Sequence, residues 1–282
     1  MTDTLAKKIQ DKSSLLGISS EEVSLAKALF VNRKYDYRGE TRLFICEGLW
    51  AAEKLAESKI TVTHFLFDPE KVTDEEEADV SLMLDYAEES FTVSAKVCAK
   101  ISDRDGADHC FIVARLPEYK LEDIRLSDEE ISIVLDGQEQ PGNVGAILRS
   151  LDGAGGSFAV MTNRRVKLTH SRLVRASLGA VFTMKVVEAD ADELAKWLVD
   201  NHFKIVVTDL KATYPYYEAD YSGRVAIVAG NEYNGVSPLW NTLPGATPVI
   251  IPMLGKCESL NVGFASTLVA YEAAVQKMRK RR

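Results

Sequence analysis

Ala229-Gly230-Asn231-Glu232-Tyr233-Asn234-Gly235-Val236 and Ile250-Ile251-Pro252-Met253-Leu254-Gly255-Lys256-Cys257-Glu258-Ser259-Leu260-Asn261-Val262 are two apolar runs that each pass into a polar, glycine-bearing loop. Gly230 closes a run of Val, Ile and Ala, a position that needs no side chain where a ligand comes close to the backbone. Glu232 places a charge beside a buried strand end, so it must be paired or used chemically. On spacing alone this second loop could also be a plain Gly/Asn turn before Pro238. In the third loop Ser259 is placed to cap the final helix, where it and Asn261 present a hydroxyl and an amide at the positive end. Upstream, Asn143-Val144-Gly145-Ala146-Ile147-Leu148-Arg149 has the same strand–loop–helix character. Pro141-Gly142 breaks the preceding strand and Asn143 reads as a helix N-cap. Val144, Ile147, Leu148 and Leu151 then fall on one buried helix face. Arg149 lies off that face, beside Ala146 and Gly153, where small neighbours leave its guanidinium room to reach a pocket.

Around these loops the pattern is an alternation of short apolar strands and helices. Strands are expected at 131–135, 157–161, 185–187, 204–208, 225–229 and 249–251, with helices at 191–201 and 260–277 among those between them. That is a mostly parallel, doubly wound sheet. Residues 117–128, polar and carrying Pro117, read as a linker between a first domain at 1–116 and a second at 129–282. The first domain reads as a smaller α/β module: a helical stretch at 3–34, strands at 43–46, 62–67, 91–93 and 110–114, and a helix after Glu47-Gly48.

The chain of 282 residues carries 34 Lys and Arg against 42 Asp and Glu, a net charge of −8. That sum argues against a polyanion partner, but its distribution does not. From Asp68 to Glu89 there are ten acidic residues and one lysine, which read as a solvated helix face. The last six residues carry five positive charges. Asn32-Arg33-Lys34-Tyr35-Asp36-Tyr37-Arg38-Gly39-Glu40-Thr41-Arg42 interleaves basic and aromatic side chains, making Arg33, Lys34, Arg38 and Arg42 candidate RNA contacts. The four cysteines and four histidines are scattered, with no metal-ligand spacing and no Cys/His nucleophile pair. No apolar run approaches the ~20 residues of a membrane span, and the start has no signal-peptide core, so a cytoplasmic location is expected.

Together the three loops, in this order and spacing, resemble the signature motifs of the SpoU/TrmH family of RNA ribose 2′-O-methyltransferases, over roughly residues 130 to 282. The resemblance implies a C-terminal domain knotted as a deep trefoil by its second and third loops, with S-adenosylmethionine bound in the knot. By matched position, Gly230, Ile251 and Leu260 would contact the adenosyl group, mostly through backbone. Asn143, Arg149, Glu232, Ser259 and Asn261 would form the catalytic cluster, with no metal. Ser171–Ala180 looks like a further family segment. Family members are homodimers with residues of both subunits near one site. Tyr37–Gly48 resembles the opening of the ribosomal-protein-like RNA-binding domain often attached to these enzymes, although Asp108-His109-Cys110 stands where that domain commonly has a Gln-Gly pair.

The chemistry the resemblance implies is attack of a ribose 2′-hydroxyl on a sulfonium methyl. An alcohol is a poor nucleophile and must lose its proton during attack. Arginine stays protonated, so Arg149 suits stabilising a developing alkoxide better than acting as a base, with Glu232 placed to orient it. The attached module favours rRNA as substrate over tRNA. A non-catalytic RNA-binding protein of the same fold is disfavoured because every matched catalytic residue is present. A dinucleotide oxidoreductase is disfavoured because Gly153-Ala154-Gly155-Gly156 follows a helix, whereas the dinucleotide fingerprint opens one.

Overall fold

The computed structural model describes residues 1–31, 42–102, 104 and 106–280. They form two compact units. One holds Met1–Pro117 together with Leu168–Thr183, and the other holds Glu118–Lys167 and Met184–Arg282.

In the first unit the strands are β1 (Ser14–Leu15), β2 (Leu43–Glu47), β3 (Val62–Phe67), β4 (Glu89–Thr92) and β5 (Cys110–Arg115), in the sheet order β1-β4-β3-β5-β2. Pairing is parallel across β1, β4 and β3 and antiparallel on both sides of β5. The helices are α1 (Asp3–Lys12), α2 (Glu21–Val31), α3 (Ala52–Glu57), α4 (Glu77–Tyr86) and α5 (Ala95–Ile101). Alternate strand residues face opposite sides. Ile45, Leu66, Phe91, Phe111 and Val113 pack with Val23, Ala26 and Phe30 of α2 and with Val97, Cys98 and Ile101 of α5. The stretch read as one helix over 3–34 is in fact α1, the strand β1 and α2. Helix α1 stops where Ser13 takes an extended conformation, and Ser14 and Leu15 then pair with Phe91 and Thr92. A free sheet edge outcompetes helix propensity there, as tertiary pairing often does.

Two helices from the middle of the chain complete this unit, α7 (Ser171–Ser177) and α8 (Ala180–Thr183). Phe182 stacks on Phe44 with ring centroids 5.7 Å apart. Glu47, buried at the end of β2, accepts hydrogen bonds from Ser102 Oγ (2.6 Å) and Arg104 Nε (2.8 Å) and lies 3.7 Å from a guanidinium nitrogen of Arg175 on α7. Lys54 Nζ donates to the carbonyl of Leu178 (2.7 Å), which ends α7 in a left-handed conformation. The stretch Leu168–Thr183 is thus fastened by charge and by ring stacking.

The second unit is a six-stranded sheet, every pair parallel: β6 (Glu130–Asp136), β7 (Phe158–Thr162), β8 (Lys185–Glu188), β9 (Lys204–Thr208), β10 (Arg224–Ala229) and β11 (Ala246–Val249), in the order β11-β9-β10-β6-β7-β8. Its helices are α6 (Pro141–Gly153), α9 (Ala191–Asp200), α10 (Pro238–Thr242) and α11 (Val262–Lys280). Leu194, Ala195 and Leu198 of α9 and Trp240 of α10 pack with Val134, Val160, Val207 and Val228 in one core layer. Helices α6 and α11 pack on each other and on β6 and β10. Both faces are covered, and for that reason β6 and β10 read as nearly continuous apolar runs. Tyr119, Leu121, Ile124 and Leu126, in the stretch that reads as a polar linker, pack into the same core layer.

The expected strand at 249–251 lies three residues earlier. Pro248 lies within β11, which is an edge strand, where a missing N–H is tolerated. Ile250 instead bridges to Pro215, and the Ile250 N–H donates to the carbonyl of Tyr214 (2.9 Å). The segment after β9 thereby runs alongside the chain leaving β11.

Candidate functional site

Strand order reverses at β6, since the chain moves outward to β7 and β8 and then returns on the far side of β10. Open parallel sheets bind ligands beyond the carboxyl ends of their strands at such a point. The second and third sequence-marked loops leave from carboxyl ends, 230–237 from β10 and 250–261 from β11, whereas the first marked segment, 143–149, lies inside α6, which follows β6 after the short loop 137–140.

A string of side chains joins the loops. Asn143 Nδ2 donates to Glu232 Oε1 (2.5 Å), and Asn261 Nδ2 donates to Asn143 Oδ1 (3.2 Å). Asn261 Oδ1 in turn accepts from the Gly263 N–H (2.9 Å). One residue from the start of α6 and one from each of the other two loops are therefore held in a single hydrogen-bonded line. Two expectations about caps are corrected here. Helix α6 begins at Pro141, which leaves Asn143 inside the first turn with its amide free to bridge. Proline at the first helical position costs no hydrogen bond, so the helix starts earlier than a cap reading of Asn143 allows. Helix α11 begins at Val262, and it is Asn261 that caps it, while Ser259 is exposed in the loop. Asn261→Ala is expected to lower stability by about 1 kcal/mol through the lost cap, and to reduce turnover by releasing Asn143. A thermal melt and a methyl-transfer assay on the same preparation check both.

Arg149 sits six residues beyond Asn143 on α6, about 9 Å along the axis. It is exposed and has no hydrogen bond or ion pair among the described residues. Glu232 is bonded to Asn143, where the sequence reading placed it to orient Arg149. The stripe next to Arg149 packs tightly on α11. Thr267 Oγ1 bonds Ser150 Oγ (2.7 Å), a Cβ on Gly153 would lie 2.8 Å from Tyr271 Oη, and one on Gly263 would lie 3.8 Å from Ala146 Cβ. The small residues noted beside Arg149 thus let two helices approach, and Arg149 itself stays exposed.

The second loop is closed. Asn231 and Gly235 exchange backbone hydrogen bonds of 2.9 Å each. A Cβ on Gly230 would lie 2.3 Å from the Gly235 carbonyl carbon and from the Val236 nitrogen. Three residues missed in the sequence hold this region. Asp136, buried at the end of β6, accepts from Thr162 Oγ1 (3.1 Å), Asn163 Nδ2 (2.7 Å) and the Ser237 N–H (2.7 Å). Gln138, also buried, donates through Nε2 to the carbonyls of Ala229 (3.2 Å) and Gly230 (2.5 Å). Asn231 donates to the Gly137 carbonyl (2.9 Å) and accepts from the Tyr233 and Asn234 N–H groups. The available signal was polar side chains directly after apolar strands, since such groups must find partners when buried.

Gly230 and Ile251 follow strands separated by β9, about 10 Å apart at the usual strand spacing. Leu260 is partly exposed at 39% and Leu254 at 98%. Gln138 Oε1 is buried with no partner among the described residues.

Of the proposed RNA contacts, Arg33, Lys34 and Arg38 lie outside the described residues. Arg42 donates through Nε to the Leu116 carbonyl (3.1 Å) and through a terminal nitrogen to the Pro117 carbonyl (3.0 Å), which commits part of its guanidinium to its own fold. The structure also brings ligand atoms of Asp108, His109 and Cys110 within 4.8 Å of one another. These groups satisfy each other. Asp108 accepts from the His109 and Cys110 N–H groups, His109 Nε2 is 3.1 Å from Glu76, and burial among carboxylates pushes the Cys110 thiol up. No described helix is long and apolar enough to cross a membrane.

Residues 130–271 match the SpoU rRNA methylase family, and the chain belongs to it. It is similar to the 23S rRNA (uridine(2479)-2′-O)-methyltransferase of Streptomyces viridochromogenes, 29% identical over 59% of this chain and 60% of that one. It is 31% identical to the 23S rRNA (guanosine-2′-O-)-methyltransferase RlmB of Escherichia coli K12, over 61% of this chain and 74% of the relative. A solved RNA 2′-O ribose methyltransferase superposes with a TM-score of 0.78 at 30% identity, over 94% of this chain and 99% of that structure. Family membership implies that the second unit carries the trefoil knot.

Proposed function

We propose that this chain transfers the methyl group of S-adenosylmethionine to a ribose 2′-hydroxyl of large-subunit rRNA, and that it does so as a homodimer. The observation that carries the reading is the Glu232–Asn143–Asn261 string, which ties all three signature segments into one site. RNA methylation is the chemistry of the family, and the curated relatives compared above are named as 23S rRNA 2′-O-methyltransferases.

Gly230, Ile251 and Leu260 hold the cofactor, with Gln138 fixing the Gly230 carbonyl from behind. When bound, S-adenosylmethionine supplies a methyl group on a positively charged sulfur. The rest falls to the protein. Arg149, permanently cationic, stabilises negative charge growing on the 2′-oxygen as its proton passes to a phosphate of the RNA. Asn143 is held by Glu232 and Asn261 so that it needs no reorganisation when substrate arrives. Ser259, exposed on the third loop, is free to bond the ribose. The homodimer is supported by Phe264, Leu268, Tyr271 and Met278, which form an exposed apolar stripe along α11.

The test is transfer from radiolabelled S-adenosylmethionine to separated tRNA, small-subunit rRNA and large-subunit rRNA. Label is expected in large-subunit rRNA, at a linkage that resists alkali because its 2′-oxygen is blocked. Label in tRNA alone, or at an alkali-sensitive linkage, would overturn the proposal.

A further inference from the structure

Tyr233 is 84% exposed, on the loop that carries Glu232. Its backbone is among the most constrained in the site. Asn231, 8% exposed, accepts the Tyr233 N–H (2.9 Å) and the Asn234 N–H (3.0 Å) on one side-chain oxygen and anchors to the Gly137 carbonyl with its nitrogen. The Asn231–Gly235 backbone pair closes the loop, and Gly235 makes the turn at φ 69°. Glu232 reaches Asn143, while the next ring is left in solvent with no ring or cation partner among the described residues. The fold therefore fixes the backbone that carries an aromatic ring it does not itself bury.

A ring carried this way suits a flat apolar partner. A ribose 2′-hydroxyl is free to make its in-line attack when its nucleotide leaves a regular helix, and sequence-specific RNA recognition targets such unstacked bases by stacking them on aromatic rings. We infer that Tyr233 stacks on an unpaired nucleobase of the RNA substrate, at the nucleotide being methylated or its direct neighbour. This rests on the proposal that the chain acts on RNA. Stacking is tolerant of base identity, so Tyr233 sets the position of the nucleotide and not its sequence. The ordering entropy of the loop is met in advance by the Asn231 bonds, so the contact gains affinity without a folding cost.

The experiment compares wild type with Tyr233→Ala, Tyr233→Phe and Tyr233→Trp on a protein-free transcript of large-subunit rRNA. Tyr233→Ala is expected to raise KM and Kd for RNA about tenfold or more, as loss of a stacked base does. Its kcat at saturating RNA and its affinity for S-adenosylmethionine stay near wild type. Tyr233→Phe and Tyr233→Trp retain binding, and Tyr233→Trp shows RNA-dependent quenching beyond that of the three native tryptophans. Wild-type behaviour of Tyr233→Ala overturns the inference, as does a Tyr233→Phe defect as large as that of Tyr233→Ala. If the wild-type protein binds RNA without methylating it, the proposed activity fails, and the binding and quenching series still decides the role of Tyr233.

Discussion

Arg149→Ala is expected to lower the rate of methyl transfer by about 10²–10³-fold, the usual effect of removing one group that stabilises a developing oxyanion. Arg149 is exposed and makes no hydrogen bond or ion pair among the described residues, so the fold has little stake in it. Unfolding temperature and affinity for S-adenosylmethionine should therefore stay at wild-type values while single-turnover transfer collapses. Arg149→Lys keeps the charge but loses the planar fork, so it should recover part of the rate and not all of it. Full activity in Arg149→Ala would remove this side chain from the chemistry and leave the Asn143 line to be tested as its replacement.

Gly230→Ala should abolish tight cofactor binding through sterics alone. The added carbon would lie 2.3 Å from two backbone atoms and 2.5 Å from the Gly235 carbonyl oxygen. Backbone cannot yield as a flexible side chain does, so the loop must open. Overpacking of this kind costs about 1–3 kcal/mol, and the opened loop no longer presents Glu232 to Asn143. Calorimetric affinity for S-adenosylmethionine should fall at least about tenfold, with circular dichroism retained. Gly17→Ala has nothing within 4 Å of its new carbon and serves as the neutral control. Unchanged affinity in Gly230→Ala would mean that the cofactor does not depend on this loop.

The second unit was readable from sequence because parallel strands buried on both faces leave nearly continuous apolar runs, as in Ile133–Leu135 and Val225–Ala229. The three loops stood out as polar, glycine-bearing exits from those runs. Their internal wiring did not. Periodicity reports which face of α6 is buried, but the Asn143 partners come from residues 89 and 118 positions away. The caps were misplaced because Pro141 and Asn261 each compete locally with a neighbour that looks equally suited. Strand β11 begins three residues before the expected one and includes Pro248, which an edge position tolerates and which local sequence does not identify as an edge. The length of the first helical region failed for a similar reason, since β1 exists only because Phe91 and Thr92 offer it a partner.

The grouping of Leu168–Thr183 with Met1–Pro117 also bears on how the chain emerges during synthesis. When Pro117 has left the ribosome, the surfaces around Phe44 and Glu47 still lack Phe182 and Arg175. At about 5–20 residues per second, the missing helices follow roughly 3–13 s later. Until then the nascent chain exposes an aromatic surface and a carboxylate that lacks its second arginine.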